Sequence, residues 1–325
     1  KILFFLIIFF FFFFFSYCKR DTWFECYTVD IHSSMYCIAT LKSAQVPSIT
    51  LYVPIDSVSS LKFFCPFLFP DLEKIRRDVK SRLWFSYRRG FVSIGNSGLT
   101  SDKGWGCMLR CGQMVIAQAL LFLHLGREWC WSPNKRDRDY LRILHMFEDV
   151  HSAPYSIHQI AISGLDEGKQ VGEWFGPNTI AQVLKKLSVN DEWSSIAFHV
   201  ALDNALVIND VSKTNRGDRK SSTRWKPLIL IIPLRLGIAE INPVYVQGLK
   251  TCFTFRQSLG VIGGKPNHAL YFIGCVGNDV IFLDPHTTQP VGFVQNKEQE
   301  HEKKVDCTYH CKHASRLPIL LWIHL

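Results

Sequence analysis

The chain has 325 residues, of which 47% are hydrophobic and 20% are charged, so it can bury the sizeable core of a globular protein. The net charge of +9 favours acidic partners, but the basic residues form separate short clusters, at 80–89 and 213–220, which argues against a nucleic-acid site. The 11 cysteines are odd in number and irregularly spaced, which gives no sign of a disulfide framework and favours reduced thiols in a cytoplasmic protein.

An uninterrupted apolar run, "ILFFLIIFFFFFFF", occupies residues 2–15. It is shorter than the roughly 20 residues that a membrane-spanning helix needs, and no clear small-residue cleavage site of a signal peptide accompanies it. Three origins stay open: a membrane anchor, a signal peptide, and the translation of a pyrimidine-rich non-coding stretch, which we favour. Residues 1–70 show no sustained periodicity and are expected to form an irregular N-terminal segment of doubtful origin.

Helical spacing of apolar residues begins after residue 70. Helices are predicted within 71–87, 107–126, 140–150 and 176–187. The second stretch, "CMLRCGQMVIAQALLFLHLG", is apolar nearly throughout, which predicts a buried helix that ends at Gly126.

Strands are predicted mainly in the second half of the chain. They are expected at 194–203, at 228–237 and, as a hairpin, at 268–285. The continuous apolar run "LILIIPLRLG" at 228–237 is typical of a central buried strand. A polar stretch near 209–226 is predicted to be a mobile linker. Because helices come first and strands follow, the fold class is predicted to be α+β.

Cys107 is the candidate nucleophile. It follows the turn Gly104-Trp105-Gly106 and begins a helix-compatible run, and a helix N-terminus lowers the pKa of a cysteine thiol. Its own amide would point toward a substrate oxyanion. Cys111 lies one turn further in, in apolar surroundings, and is expected to be a core residue.

A nucleophilic cysteine needs a base and a group that orients it. The residues alone leave two arrangements open. In one, His268 is the base and Asp284 on the neighbouring strand orients it. In the other, His286 is the base and Asp284, two residues earlier, holds it across Pro285. The Cys- and His-rich stretch at 301–313 is too crowded for a zinc finger, so no metal and no cofactor are expected.

Several long blocks resemble, in order, those of the autophagins, the autophagy-related cysteine endopeptidases with a papain-like core. They are "SRLWFSYR", "TSDKGWGCMLRCGQM", "FGPNTIAQVLKKL", "PLILIIPLRLG", "QSLGVIGGKPN" and "YFIGCVGNDVIFLDPHTTQP". The resemblance covers residues 71–313, the predicted protease domain, and leaves 314–325 as a tail that does not match. It implies a papain-like fold with an N-terminal catalytic helix and a central antiparallel sheet.

The resemblance also implies a role for each matching position. Cys107 would be the nucleophile, Asp284 the orienting acid and His286 the base, and the hydroxyl of Tyr87 would join the Cys107 amide in the oxyanion hole. His268 stands where the family commonly has a serine, so it is not expected to be required.

The same resemblance implies how substrate is bound. Trp174 would cover the substrate glycine. A regulatory loop with hinge-like glycines would lie over the cleft, and its residues are Gly264, Lys265, Pro266 and Asn267.

The implied substrates are ubiquitin-like autophagy modifiers of the GABARAP type. The enzyme would cut the precursor after a C-terminal glycine and later release the modifier from phosphatidylethanolamine during autophagosome formation. It would act as a cytoplasmic monomer, touch membranes only through the lipidated substrate and bind no nucleic acid. The family continues beyond the matching region, so the alternative is a truncated, inactive homologue that only binds the modifier.

Overall fold

A computed structural model describes most of the predicted protease domain and several segments outside it. The described residues are 3–11, 22–26, 37–43, 46–53, 72–135, 137–201, 211, 226–237, 241–277, 279–294 and 323–324. The predicted linker near 209–226, apart from residues 211 and 226, lies outside the described residues, as does the Cys- and His-rich stretch at 301–313.

The four predicted helices are confirmed, and two short ones were not predicted. The helices are α1 (Leu72–Ser81), α2 (Cys107–His124), α3 (Arg138–His145), α4 (Ile157–Ser163), α5 (Pro177–Ser188) and α6 (Val246–Thr254). The unpredicted helices α4 and α6 have only seven and nine residues, too few for apolar periodicity to stand out. Helix α4 is nevertheless marked by Ser156, whose hydroxyl caps it by accepting from the Gln159 amide at 3.1 Å.

The predicted strands are also confirmed, including the hairpin β9–β10. The strands are β1 (Leu3–Phe11), β2 (Thr22–Cys26), β3 (Cys37–Ser43), β4 (Val46–Val53), β5 (Arg88–Arg89), β6 (Ala197–Val200), β7 (Leu228–Gly237), β8 (Ser258–Lys265), β9 (His268–Val276), β10 (Asp279–Leu283), β11 (Gln289–Pro290) and β12 (Ile323–His324). The central sheet has the order β12-β10-β9-β8-β1-β7-β6. Every pair in it is antiparallel except β6–β7, which is parallel.

The N-terminal apolar run forms an interior strand of this sheet. Ile7 of β1 is opposite Ile232 of β7 on one side and Val261 of β8 on the other. An apolar strand without alternation suits this position, because both of its edges are paired and both faces of the sheet are covered. Strands β2, β3 and β4 form a separate antiparallel sheet. The segment expected to be irregular therefore contains four strands. Strand β1 pairs with strands far away in the sequence, which local periodicity cannot reveal, whereas β2, β3 and β4 pair with their neighbours in the chain.

Helices cover both faces of the central sheet. Along β9, Ala269, Tyr271 and Ile273 join the larger hydrophobic cluster, which includes α2, whereas Leu270 and Phe272 join a second cluster that includes residues of α6. Helix α2 is long and apolar enough to span a membrane by composition, but 83% of its residues are buried, so it is the central core helix. Its first turn thereby lies against the strands that carry the candidate site.

Candidate active site

The turn before α2 places Cys107 at the first position of the helix. Gly104 has a φ of +88°, a conformation that favours glycine. At Gly106 a Cβ atom would lie 2.6 Å from the Cβ of Asp102, so only glycine fits there. No side chain caps the N-terminus of α2. The first-turn amides, including that of Cys107, therefore have no acceptor within the helix and give this end a partial positive charge.

A buried ion-pair network holds this turn, and the sequence analysis missed it. The side chains of Asp102 and Arg110 are fully buried and their charged groups are 2.8 Å apart. Arg110 also pairs with Asp149 at 2.8 Å, and the two carboxylates outweigh burial and raise the pKa of Arg110. The available signal was a lone arginine within the apolar sequence of α2. Its partners were not identifiable from the sequence.

Backbone hydrogen bonds bring Tyr87 next to the segment 284–286. The Tyr87 amide donates to the Pro285 carbonyl at 2.8 Å, and the Gln289 amide donates to the Tyr87 carbonyl at 2.9 Å. The Trp84 indole adds a bond to the Asp284 carbonyl at 2.8 Å. Because these bonds join residues about 200 positions apart in sequence, they form only in the folded chain.

The structure pairs Asp284 with His286, as the second of the two sequence-based arrangements predicts. Asp284 Oδ1 accepts from the backbone amide of His286 at 2.9 Å and lies 2.5 Å from its Nδ1. This hydrogen bond leaves Nε2 to act as the base. His268 instead stacks on His286, with ring centroids 4.6 Å apart and planes 22° apart.

Electrostatics favour an ion pair between Cys107 and His286. Burial alone would raise the pKa of the Cys107 thiol, but the adjoining His286 imidazole, the Ala269 backbone and the Tyr87 hydroxyl lower it below its ordinary value. Burial opposes the charged form of His286 as well, yet the Asp284 carboxylate and the Cys107 thiol raise its pKa to about 9. The same interactions with His286 hold the pKa of Asp284 below its usual value despite its burial. A thiolate beside an imidazolium is the reactive form of a cysteine nucleophile.

Tyr87 and His286 each present a buried polar atom to this centre. Neither the Tyr87 hydroxyl nor His286 Nε2 has a hydrogen-bond partner of good geometry among the described residues. The Tyr87 ring meets the His286 ring edge to face, with centroids 5.5 Å apart. Burial, followed by the charge of the Cys107 thiolate, raises the pKa of Tyr87, so its hydroxyl stays protonated and can donate. Both atoms are therefore available to a reacting group beside Cys107.

Cys111 has the surroundings of a core residue, as predicted. It is fully buried, and burial followed by the charge of Cys107 raises the pKa of its thiol well above the ordinary value. A thiol of this kind stays protonated and is a poor nucleophile.

The predicted substrate-binding residues lie in two regions, one just before α5 and the other at the turn between β8 and β9. Trp174 is half-buried against the core just before α5, and its indole Nε1 is buried without a hydrogen-bond partner among the described residues. Gly264 and Lys265 end β8, and Pro266 and Asn267 form the tight turn to β9, where Asn267 has a φ of +58°. This turn lies beside the catalytic candidates because its next residue stacks on His286. The roles of these residues remain predictions.

Within the described residues, no group of three or more His, Cys, Asp or Glu side chains is arranged to hold a metal ion.

Known proteins similar to this chain match the same region. The sequence profile of the peptidase C54 catalytic domain matches residues 72–321. The protein named cysteine protease ATG4A from Gallus gallus is 52% identical over 269 residues, which are 75% of this chain and 70% of the relative. Cysteine protease ATG4B from Xenopus laevis is 51% identical over 259 residues, 74% of this chain and 66% of the relative. Cysteine protease ATG4A from Homo sapiens is 52% identical over 263 residues, which are 73% of this chain and 65% of the relative. The chain spans about two thirds of the length of these relatives.

Proposed function

Because the chain belongs to the peptidase C54 family of cysteine proteases, we propose that it hydrolyses ubiquitin-like autophagy modifiers with Cys107 as nucleophile. The observation that carries this proposal is the pairing of Asp284 with His286 beside a buried thiol of lowered pKa. A structural cysteine would have the opposite shift, as Cys111 does.

The first half of the proposed reaction forms a thioester. His286 takes the proton of the Cys107 thiol, and the thiolate attacks the carbonyl carbon of the substrate glycine. The carbonyl oxygen becomes an oxyanion that accepts from the Tyr87 hydroxyl and the Cys107 amide. The bond to the leaving nitrogen then breaks, and the imidazolium of His286 gives that nitrogen its proton.

The second half releases the modifier. His286, now neutral, takes a proton from water, and the hydroxide attacks the thioester carbonyl. The second oxyanion is held by the same two donors. When the carbon–sulfur bond breaks, Cys107 returns as a thiolate beside the imidazolium, and the glycine leaves as a carboxylic acid that loses its proton to solvent and becomes the carboxylate.

We propose that both expected substrates transfer the same acyl group, that of the modifier's C-terminal glycine, to Cys107. A modifier precursor and a modifier linked to phosphatidylethanolamine each present a glycine carbonyl bonded to nitrogen, so only the leaving amine differs. Trp174 and the turn at Pro266–Asn267 are proposed to border the path of this glycine. The buried, unpartnered indole Nε1 of Trp174 supports a role in substrate binding, since a buried donor without a partner is costly.

We further propose that the protein works in the cytoplasm as a monomer that meets membranes only through its lipidated substrate. The 11 cysteines, odd in number and irregularly spaced, support a reducing compartment.

The test is cleavage of a GABARAP-type precursor by the full 325-residue chain, followed by intact-mass spectrometry. The wild type should release the tail after the C-terminal glycine, and Cys107→Ser should abolish release. Cys130→Ser removes an exposed free cysteine and should cleave like the wild type, which makes it the matched control.

Cleavage by Cys107→Ser would overturn the assignment of the nucleophile. A folded wild-type chain that binds the precursor without cutting it would instead establish the alternative, a homologue that only binds the modifier.

A further inference from the structure

Asp102 connects the two elements that carry the candidate oxyanion donors. Its Oδ1 accepts from the backbone amide of Arg88 at 2.6 Å, next to Tyr87 in the chain. Its Oδ2 accepts from Arg110 Nε at 2.8 Å, one turn beyond Cys107 in α2. Its backbone carbonyl accepts from the Gly106 amide at 2.8 Å, directly before Cys107.

We propose that Asp102 is a positioning residue for the oxyanion hole: it fixes the Tyr87 hydroxyl and the Cys107 amide relative to each other. The inference rests on the proposed function, because an oxyanion forms only if the chain attacks a carbonyl. Asp102 acts through these two donors and does not touch substrate itself.

The chemistry of a carboxylate explains why an aspartate stands at this position. Each of its two oxygens accepts from a different element, and an asparagine has only one side-chain oxygen to accept with. In Asp102→Asn, either the link to Arg88 or the link to Arg110 is therefore lost. The backbone carbonyl of residue 102 continues to bind the turn, so the change loosens the relative position of the donors without removing either one.

The space around Asp102 leaves little freedom for adjustment. Its side chain is fully buried, and the missing Cβ of Gly106 is the space into which the carboxylate fits. Arg110 is anchored from the other side by Asp149 at 2.8 Å, and Gln113 accepts from it at 3.1 Å. Because the guanidinium belongs to α2 itself, its bond to Asp102 ties the helix that begins at Cys107 directly to the segment of Tyr87.

Asp149→Asn is a matched control for Asp102→Asn. Both carboxylates are buried and both pair with Arg110, but the hydrogen bonds described for Asp149 do not reach the segment of Tyr87 or the turn before Cys107. Loss of the Asp149 charge should lower stability while leaving the two oxyanion donors aligned. A role limited to stability would give the two variants the same kinetic profile.

The experiment measures kcat and KM of the full chain on a modifier precursor for five proteins: wild type, Asp102→Asn, Asp149→Asn, Tyr87→Phe and the double variant Asp102→Asn/Tyr87→Phe. We expect Asp102→Asn to lower kcat about 10- to 100-fold with little change in KM, because misplaced donors weaken binding of the transition state alone. Asp149→Asn should keep kcat within about threefold.

The double variant separates positioning from a structural role. Tyr87→Phe removes one oxyanion donor and should cost about 10²- to 10³-fold in kcat. If Asp102 works through that donor, the double variant should be at most about threefold slower than Tyr87→Phe alone. Multiplicative losses in the double variant, or equal losses of kcat in Asp102→Asn and Asp149→Asn, would overturn the inference.

A second measurement does not depend on turnover. The Cys107 thiol should add to the aldehyde of a peptide that ends in glycinal. The addition forms a carbon–sulfur bond and leaves the former aldehyde oxygen in the proposed oxyanion hole. Asp102→Asn should weaken this adduct about tenfold or more, and Asp149→Asn should not.

These readouts distinguish the two proposals. A wild-type chain that binds glycinal but cuts no precursor refutes the proposed function alone, and equal glycinal affinity in wild type and Asp102→Asn refutes the positioning role. If Asp102→Asn does not fold, Arg110→Lys can replace it in these assays. This variant keeps the positive charge but lacks the planar guanidinium, so it weakens the bond to Asp102 less severely.

Discussion

Replacing Asp284 with asparagine should narrow the pH range in which the site is active from both sides. Asp284 is the foremost of the interactions that raise the pKa of His286, from 6.5 to about 9. The imidazolium is therefore present below about pH 9 and is lost as the pH rises through that value. It also stabilises the thiolate of Cys107, whose pKa it helps to lower.

The size of the effect follows from the pKa of His286. This pKa lies near 9 instead of 6.5, and Asp284 and Cys107 together account for the rise. Without the carboxylate, we expect the basic limb of kcat/KM to move down by at least about one unit toward the ordinary pKa of histidine. The thiolate of Cys107 should then form only at higher pH, so the rate of alkylation of this cysteine should begin to rise at a higher pH than in the wild type.

Two assays on the full chain test this reasoning. One is kcat/KM for precursor cleavage between pH 5 and 10, and the other is alkylation of Cys107 by iodoacetamide, followed by mass spectrometry of the peptide that contains it. Asp166→Asn, a change at an exposed carboxylate that pairs with Lys186, should leave both profiles unchanged. A basic limb that stays near pH 9 in Asp284→Asn would refute the assignment of Asp284 as the group that charges His286.

Two further predictions concern β1 and His268. Ile7→Pro removes a ladder amide from an interior strand, so it should lower the free energy of unfolding by about 1–3 kcal/mol in urea titrations; an unchanged midpoint would show that β1 does not pair in the sheet. His268→Ser removes a stacked ring but leaves the bond between Asp284 and His286, so kcat should stay within about threefold; a loss comparable to that of Cys107→Ser would make His268 part of the catalytic machinery.

The parts of the site that local chemistry specifies were predictable. A glycine-rich turn before an apolar helical run placed Cys107 at a helix start, and the short spacing of Asp284 and His286 allowed one to orient the other. The hairpin at 268–285 followed from two apolar stretches around a turn. Each inference used residues within one or two turns of each other, where sequence distance and spatial distance agree.

Residue type alone did not reveal Asp102. The sequence shows an aspartate in a polar loop and an arginine in an apolar helix, both of which have ordinary explanations. Their significance depends on a third group, the amide of Arg88, which lies opposite Asp102 where Arg89 and Ser101 form an antiparallel bridge. Burial then turns these contacts into strong ones, because the Asp102 side chain has no access to water.

The sequence by itself determined which chemical groups this protein has and where its helices and hairpin lie, since propensity, periodicity and turn residues act over a few positions. Only the tertiary structure decided which of those groups meet: Tyr87 with Pro285, Asp102 with Arg88 and Arg110, and β1 with β7 and β8. Such pairings depend on the distance between groups in space and on the exclusion of water around them, and neither quantity exists until the whole chain has folded.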